Sequence, residues 1–291
     1  MKIAIIGASG MLGTDLVKVL ADEHDIIALS RSKIKPEISG KIKEHRTVDI
    51  TEQKVTDAVM ESSPELVINC AAFTDVDKCE TEIDKAYKAN AIGAQYIALA
   101  CSKLSIPCLY ISTDFVFNGA KGIQYTEFDI PSPINVYGSS KLCGEFYIRS
   151  LLKKFYIVRT SWLYGKNGKN FVNSILKLAE SDNEIKVVKD QFGTPTYTVD
   201  LAKEVARLIK SGLYGTYHIA NTGVCSRYEQ AVRILEIKKI NKWVIPVTSS
   251  EVRAHALRPA YSALRNYCLE LTIGNKMRRW DEALEDFLCS L

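Results

Sequence analysis

Tyr137 and Lys141 are the residues whose types and spacing most directly indicate chemistry in this sequence. They lie four positions apart at the start of a stretch, 137–153, with a helical pattern, so their side chains share one helix face. A phenol has an ordinary pKa of about 10 and is a weak acid at neutral pH. A neighbouring ammonium lowers that pKa because it favours the phenolate. The pair is therefore suited to donate a proton to a carbonyl oxygen that gains negative charge during a reduction.

A hydroxyl at the end of an apolar run adds to this pair. Residues 108–112 have the composition of a buried strand, and Thr113 follows them. Ligands of open parallel sheets bind beyond the carboxyl ends of the strands, so a hydroxyl at this position would point into the ligand crevice. Tyrosine–lysine pairs at this spacing occur by chance on many helices. Together with a hydroxyl at a strand end, the pair is hard to explain by packing alone.

A glycine-rich segment, Gly7-Ala8-Ser9-Gly10-Met11-Leu12-Gly13, lies between an apolar strand pattern at 3–6 and a helical pattern at 11–20. Glycines permit a tight turn that brings backbone amides close to a pyrophosphate, and the helix N-terminus adds partial positive charge. The GxxGxxG spacing differs from the GxGxxG of the commonest Rossmann enzymes. The strand before it and the helix after it nevertheless indicate a dinucleotide-binding loop.

The elements that must position these residues alternate along the first half of the chain. The predicted strands are 3–6, 26–29, 47–49, 66–70, 108–112, 156–159 and 217–219. The predicted helices are near 11–20, 52–62, 81–103, 137–153, 171–180 and 200–210, and a last one begins at Trp280. Nearly continuous apolar strands that alternate with helices predict a parallel sheet covered on both faces. The fold class is therefore α/β, a doubly wound parallel-sheet Rossmann fold with a smaller C-terminal substrate lobe.

The regular alternation loosens after Thr160, where a turn-rich segment, 165–169, follows. We expect residues 1–165, with roughly 196–245, to form the dinucleotide-binding domain. Roughly 166–195 and 246–291 would form the substrate-binding lobe.

Composition excludes several classes of protein. A formal net charge of +4 over 291 residues, with no basic block, argues against a nucleic-acid partner. No apolar run approaches the roughly 20 residues needed to span a bilayer. The first strand pattern begins so early that no signal peptide is expected. The eight cysteines show no metal-binding spacing, which favours reduced thiols in the cytoplasm.

The longer motifs resemble those of a known family. They are Asn69-Cys70-Ala71-Ala72-Phe73-Thr74-Asp75-Val76-Asp77, Ser112-Thr113-Asp114-Phe115-Val116-Phe117, Pro133-Ile134-Asn135-Val136-Tyr137-Gly138-Ser139-Ser140-Lys141, Arg159-Thr160-Ser161-Trp162-Leu163-Tyr164-Gly165, Asp190-Gln191-Phe192-Gly193-Thr194-Pro195-Thr196 and Arg258-Pro259-Ala260-Tyr261-Ser262. In these the chain resembles the extended short-chain dehydrogenase/reductases, and within them the dTDP-4-dehydrorhamnose reductases. The resemblance runs nearly end to end.

The resemblance implies a role for each matching residue. Thr113 would bind the ketone oxygen, Tyr137 would be the general acid, and Lys141 would lower its pKa and hold the nicotinamide ribose. The remaining cofactor contacts would be Gly7, Gly10, Met11, Leu12, Gly13, Ser30, Arg31, Asp49, Ile50, Ala71, Ala72, Phe73 and Thr74. Substrate contacts would come from Thr113, Asp114, Tyr137, Trp162, Gln191, Thr196 and Arg258. The face of the Trp162 indole would also suit the apolar side of a sugar ring.

The segment after the second strand predicts the choice of cofactor. NAD-selective enzymes usually place a carboxylate there, on the adenosine ribose. Here Ser30, Arg31, Ser32 and Lys33 follow the strand instead. A guanidinium at Arg31 could grip a 2′-phosphate, which favours NADPH and leaves NADH as a second acceptable cofactor.

The implied reaction is reduction of the 4-keto group of dTDP-4-dehydrorhamnose (dTDP-6-deoxy-L-lyxo-4-hexulose) to dTDP-L-rhamnose. One alternative is a reductase for another nucleotide-linked 4-keto sugar. A second alternative is a regulatory subunit that binds a dinucleotide without turnover. The resemblance also allows a homodimer and a Mg²⁺ ion held by glutamates at its interface, but the sequence does not locate those ligands, and no metal-binding residue is predicted.

Overall fold

Thirteen strands lie within the part of the chain that the computed structural model describes, residues 1–181 and 184–291. In chain order they are β1 (Lys2–Ile6), β2 (Asp25–Ser30), β3 (Glu44–Thr47), β4 (Leu66–Asn69), β5 (Cys108–Thr113), β6 (Phe155–Thr160), β7 (Leu163–Tyr164), β8 (Ile185–Val188), β9 (Phe192–Gly193), β10 (Thr196–Tyr197), β11 (Gly215–His218), β12 (Cys225–Ser226) and β13 (Val244–Val247).

The helices of the described residues are, in chain order, α1 (Met11–Leu20), α2 (Pro36–Ser39), α3 (Lys54–Ser62), α4 (Val76–Thr81), α5 (Ile83–Tyr87), α6 (Gly93–Leu104), α7 (Val136–Leu151), α8 (Phe171–Ala179), α9 (Thr198–Ser211), α10 (Arg227–Ile237), α11 (Tyr267–Leu271) and α12 (Trp280–Cys289). A π-helical turn at Lys88–Ile92 joins α5 to α6, and short 3₁₀ turns occupy Asp114–Val116 and Ser249–Glu251.

Seven of the strands form one parallel sheet in the order β11-β6-β5-β4-β1-β2-β3. The order in which strands are added to the sheet reverses between β1 and β4: β2 and β3 follow on one side of β1, whereas β5, β6 and β11 follow on the other side of β4. The connections that follow β1 and β4 therefore leave in opposite directions and open a crevice at the carboxyl ends of these strands. This is the doubly wound parallel sheet that the sequence predicts.

The two faces of the sheet are covered by different helices. Ile3 and Ile5 of β1 pack with α1 and α9 in one core cluster, whereas Ala4 and Ile6 pack with α3, α6 and α7 in another. Side chains alternate between faces along a strand, so a strand buried on both sides must be apolar throughout. That is why the central strands read as continuous apolar runs.

The third strand differs from the prediction. The structure places it at Glu44–Thr47 and not at 47–49. It pairs only with β2, at the edge of the sheet, and its burial alternates between half-buried and exposed positions. An edge strand exposed on one face needs no apolar run, so the composition that marks the central strands is missing here.

A second core lies beside the sheet. It is built from α8, α10 and α12 together with the parallel pair β8 and β13. By contrast, α9 and β11 pack with the main sheet. We therefore propose a division in which 225–247 belongs to the smaller lobe, whereas the sequence pattern grouped residues up to about 245 with the nucleotide-binding domain.

Candidate active site

A cavity of about 890 Å³ opens at the carboxyl ends of the central strands. Its size suits a small-molecule or cofactor site. The predicted site residues that line it are Gly7, Gly10, Met11, Leu12, Ser30, Arg31, Asp49, Ile50, Ala71, Ala72, Phe73, Thr74, Thr113, Asp114, Tyr137, Lys141 and Trp162. One cavity thus brings together the glycine loop and the tyrosine–lysine pair, which lie more than a hundred residues apart in the chain.

The glycine loop turns sharply between β1 and α1. Gly7 has φ +84°, and a Cβ at that position would lie 2.9 Å from the backbone nitrogen of Ala71. A Cβ at Gly13 would lie 2.1 Å from the carbonyl oxygen of Gly7, so Gly13 lets α1 pack against the loop. Gly13 does not line the cavity. In this structure Gly13 holds the loop close to the helix, and its contact with a cofactor stays a prediction.

The residues predicted to contact adenosine lie where the cavity follows β2. The Ser30 hydroxyl donates to the carbonyl of Ser32 at 2.7 Å. Asp49 accepts hydrogen bonds from the backbone and hydroxyl of Thr51, at 2.9 and 2.8 Å. Burial acts to raise the pKa of Asp49, but these bonds and the charge of Arg31 lower it overall. Arg31 is 78% exposed and lies 3.7 Å from the Asp49 carboxylate, so its guanidinium is free to turn toward a phosphate.

Helix α7 carries the tyrosine and the lysine. Asn135 caps the helix by accepting a hydrogen bond from the Gly138 amide at 2.8 Å, which places Tyr137 in the first turn. Lys141 lies one turn later, buried, and its ammonium donates to the carbonyl of Ile111 at 2.6 Å. Burial lowers the pKa of Lys141 to about 7, and the nearby charge of Glu145 opposes that shift.

Tyr137 faces the hydroxyl of Thr113. Burial raises the pKa of Tyr137 above its ordinary value, and a hydrogen bond with Thr113 acts in the opposite direction. The Lys141 ammonium is directed at Ile111 and is not among the groups that shift this pKa. In this structure Tyr137 is therefore a neutral proton donor at neutral pH. The effect of Lys141 on it stays a prediction for the cofactor-bound site.

Asp114 is buried next to this pair. Its carboxylate accepts hydrogen bonds from Thr113 Oγ1 at 3.1 Å and from Ser262 Oγ at 2.5 Å. Burial raises its pKa from 3.8 to about 6, although both bonds and the charge of Arg227 oppose the shift. Asp114 therefore fixes the Thr113 hydroxyl and binds the C-terminal segment to the site.

Asn90 is a site residue that the sequence did not indicate. It lies in the π-helical turn, and its side chain exchanges two hydrogen bonds with the backbone of Phe73, at 2.8 and 3.0 Å. The same amide donates to Ser140 at 3.0 Å. Asn90 thus ties the cavity loop that contains Phe73 to α7. A π-helical turn contains more residues than an α-helical turn, so its apolar residues do not follow the spacing that predicts an α-helix. The sequence pattern therefore gives no signal for it.

Three predicted substrate contacts lie away from the cavity. Thr196 is wholly buried, donates to the carbonyl of Thr194 at 3.3 Å and accepts from the amide of Asn221 at 3.3 Å, so it holds its own loop in place. Gln191 donates to Ser249 at 3.0 Å. Arg258 forms an ion pair with Asp77, with a shortest distance of 2.6 Å. None of the three lines the cavity in this structure.

Trp162 does line the cavity, in a left-handed backbone conformation with φ +47°. A residue that the sequence did not indicate, Arg227, lies over it. The guanidinium carbon is 3.5 Å from the centre of the indole ring and 4.8 Å from that of Phe171. A substrate placed against Trp162 would therefore lie next to a positive charge.

Metal-binding clusters and membrane spans are not found in the described ranges. Residues 1–181 and 184–291 contain no group of three or more His, Cys, Asp and Glu that could hold a metal ion. No helix in these same ranges is both long and apolar enough to cross a bilayer.

Comparison with known proteins agrees with this geometry. The family model for the RmlD substrate binding domain matches residues 1–291. The chain is 42% identical over 290 residues to the spore coat polysaccharide biosynthesis protein SpsK of Bacillus subtilis, a match that covers 99% of this chain and 96% of that protein.

Two solved structures match the chain over its full length. A dTDP-4-dehydrorhamnose reductase of Clostridium acetobutylicum aligns with a TM-score of 0.92 and 43% identity, covering 100% of this chain and 99% of that chain. A dTDP-4-dehydrorhamnose reductase of Bacillus anthracis, solved in complex with NADP, aligns with a TM-score of 0.89 and 40% identity over the same shares. The chain therefore belongs to the RmlD substrate binding domain family, the dTDP-4-dehydrorhamnose reductases whose motifs its sequence resembles.

Proposed function

We propose that this protein reduces the 4-keto group of dTDP-4-dehydrorhamnose to give dTDP-L-rhamnose, with NADPH as reductant. The observation that carries the proposal is the meeting of Thr113, Tyr137 and Lys141 with a dinucleotide loop in one cavity. Such a cavity offers a proton donor, a hydroxyl for the ketone oxygen and a place for a hydride donor. The full-length matches to reductases of this name support the substrate.

The residues around the cavity fit a nicotinamide dinucleotide. Gly10, Met11 and Leu12 present the N-terminus of α1 to a pyrophosphate, and no acidic residue lies in the first turn to repel it. The cofactor supplies hydride when it is bound. Lys141 lies one helical turn after Tyr137 on α7. When the cofactor is bound, its ammonium would turn from the Ile111 carbonyl toward a ribose hydroxyl.

Tyr137 and Thr113 perform the proton transfer in this proposal. The Tyr137 hydroxyl protonates the oxygen that becomes the 4-hydroxyl, and it is neutral at neutral pH because burial raises its pKa. Thr113 would hold the ketone oxygen within reach of Tyr137 when its hydroxyl proton turns from the Asp114 carboxylate to that oxygen. A positioned general acid of this kind is typically worth about 100- to 10,000-fold in rate.

The preference for NADPH over NADH rests on Arg31. No carboxylate follows β2 directly. Arg31 is exposed, and to bind a 2′-phosphate it would exchange a 3.7 Å contact with Asp49 for one with the phosphate. The complex of the Bacillus anthracis relative with NADP supports this choice. We also propose that the protein acts in the cytoplasm and forms a homodimer, and light scattering tests the second point.

The test of the proposed function is a cofactor-oxidation assay with several nucleotide-linked 4-keto sugars. We expect the fastest turnover with dTDP-4-dehydrorhamnose. Faster turnover of a different 4-keto sugar would support the alternative reductase. Cofactor binding without oxidation in the presence of any of these sugars would favour the regulatory subunit.

A further inference from the structure

Arg227 is the first residue of α10, on the side of the cavity that the second core provides. Ser226 and Glu229 form a capping box that fixes the start of this helix, with hydrogen bonds of 3.0 and 2.6 Å. The backbone amide of Arg227 donates to the carbonyl of Gln191 at 3.1 Å. The position of Arg227 is therefore set by the backbone as well as by its side chain.

The guanidinium of Arg227 is held by aromatic rings more than by hydrogen bonds. It stacks 3.5 Å from the centre of Trp162 and 4.8 Å from that of Phe171. Within the described part of the chain, its one side-chain hydrogen bond joins Nη1 to the amide oxygen of Gln230, at 3.1 Å. An arginine has five N–H donors. Most of them remain for a ligand in the cavity.

The other cations that line the cavity lie by the predicted cofactor residues. Arg31 and Lys35 follow β2, Lys85 lies over the Phe73 ring at 4.8 Å, Lys141 lies on α7, and Lys169 follows a glycine beside the phosphate loop. Arg227 instead lies near Asp114 and over the ring of Trp162.

A second guanidinium lies near Arg227. Burial lowers the pKa of Arg227 to about 10, Asp114 acts to raise it, and the positive charge of Arg258 lowers it further. Like charges brought close together in a cavity wall repel unless an anion offsets them. Arg258 has Asp77 as its partner, whereas Arg227 interacts with Asp114 at longer range and forms no direct ion pair with it. An anion beside Arg227 would relieve this repulsion.

We propose that Arg227 binds the diphosphate of the nucleotide-linked sugar and so selects nucleotide-linked over free sugars. This inference rests on the proposed function, because it assigns a residue to that substrate. A planar guanidinium matches phosphate oxygens with two parallel hydrogen bonds. Stacking on Trp162 holds its plane in place before a ligand arrives. Such charge-assisted bonds correspond to about 10- to 150-fold in affinity.

The experiment compares two probes on the full-length protein saturated with NADP⁺. The Kd values of dTDP and of thymidine are measured by calorimetry, with displacement for the weaker ligand. Arg227→Gln should weaken dTDP by about 10- to 150-fold and leave thymidine unchanged, because only dTDP carries the diphosphate. Arg227→Lys keeps the positive charge but loses the planar guanidinium that makes two parallel hydrogen bonds. The dTDP affinity of this variant should therefore fall between those of wild type and Arg227→Gln.

Arg233→Gln is the matched control. Arg233 lies on the same helix but does not line the cavity. It is partly exposed and pairs with Glu236 and Glu285 at 3.3 and 3.8 Å, so its loss should not change either Kd. The dTDP affinity of the wild type should also fall as salt is added, and that dependence should be weaker in Arg227→Gln. Near-UV circular dichroism checks that Trp162 keeps its environment.

Equal weakening of dTDP and thymidine in Arg227→Gln would overturn the proposal, since it would show that Arg227 only supports Trp162. An unchanged dTDP affinity would overturn it too. The proposed reaction is judged separately. If dTDP binds through Arg227 but no 4-keto sugar is reduced, the reaction is wrong and the anion site stands.

Discussion

Asp114 allows a quantitative test of the site, because the residue is 2% exposed and its carboxylate has no direct ion pair among the described residues. Burial raises its pKa from 3.8 to about 6 in the native state. The native protein therefore binds this proton more tightly than the unfolded chain does. The free energy of unfolding must consequently fall as pH rises from the ordinary pKa of 3.8 through the native pKa of about 6. The shift of roughly two pKa units corresponds to about 3 kcal/mol in total.

The perturbation is Asp114→Asn, which keeps the shape of the side chain but cannot ionise. About half of the 3 kcal/mol, roughly 1.4 kcal/mol, should be lost between pH 5 and pH 7.5, because the pKa of about 6 lies inside that range. We expect the free energy of unfolding of wild type minus that of Asp114→Asn to fall by this amount over the interval. Urea unfolding at several pH values measures it.

Thr113 and Ser262 donate to different oxygens of Asp114, and Asn has a single acceptor oxygen, so Asp114→Asn keeps only one of these two bonds. Any constant difference between the two proteins reflects this changed hydrogen bonding. Only the part that varies with pH reports the ionisation. A difference that stays constant from pH 5 to pH 7.5, or that grows with pH, would refute the claim that burial dominates the environment of Asp114.

The remaining predictions concern proton transfer, cofactor choice and the core below the site. Tyr137→Phe should bind NADPH normally but lose about 100- to 10,000-fold in kcat, and a near wild-type kcat would contradict its role as the acid. Arg31→Ala should lower the NADPH/NADH ratio of kcat/KM by about 10- to 150-fold, which an unchanged ratio would exclude. Glu145→Gln should reduce the free energy of unfolding by about 3–5 kcal/mol in urea, because it strips Arg159 of its buried partner; a loss below 1 kcal/mol would speak against that ion pair.

The sequence predicted those parts of the site that depend on local pattern. The glycine loop, Thr113 and the helix with Tyr137 and Lys141 follow from a strand, a turn or a helical spacing within a few residues. Arg227 could not be found in this way. It is 65 positions from Trp162, and only the folding of the second core onto the sheet brings the two together.

Thr196 illustrates the opposite case, a residue whose type indicates a contact with substrate but which does not line the cavity. It lies in a motif that the resemblance associates with substrate, yet the structure buries it completely, with hydrogen bonds to Thr194 and Asn221. A threonine hydroxyl can bond equally well to backbone or to ligand. Residue type alone therefore cannot separate a residue that shapes a binding loop from one that contacts what the loop binds.

Glu145 was missed for a different reason, since its spacing was visible in the sequence. Tyr137, Lys141 and Glu145 follow one another at intervals of four on α7, and the same helix face also packs on the sheet. A carboxylate on such a face must find a partner or pay a desolvation penalty. Its partner is Arg159 of β6, which makes two hydrogen bonds to it, of 2.9 and 2.8 Å.

The carboxylate of Glu145 also accepts from the hydroxyl of Ser112, at 2.7 Å. Ser112 directly precedes Thr113, so the buried ion pair fixes the strand end that carries Thr113 as well as the helix that carries Tyr137 and Lys141. Burial lowers the pKa of Lys141 to about 7, and the charge of Glu145 opposes this shift without overcoming it. The ion pair thus holds the two elements of the site together, the end of β5 and the helix α7.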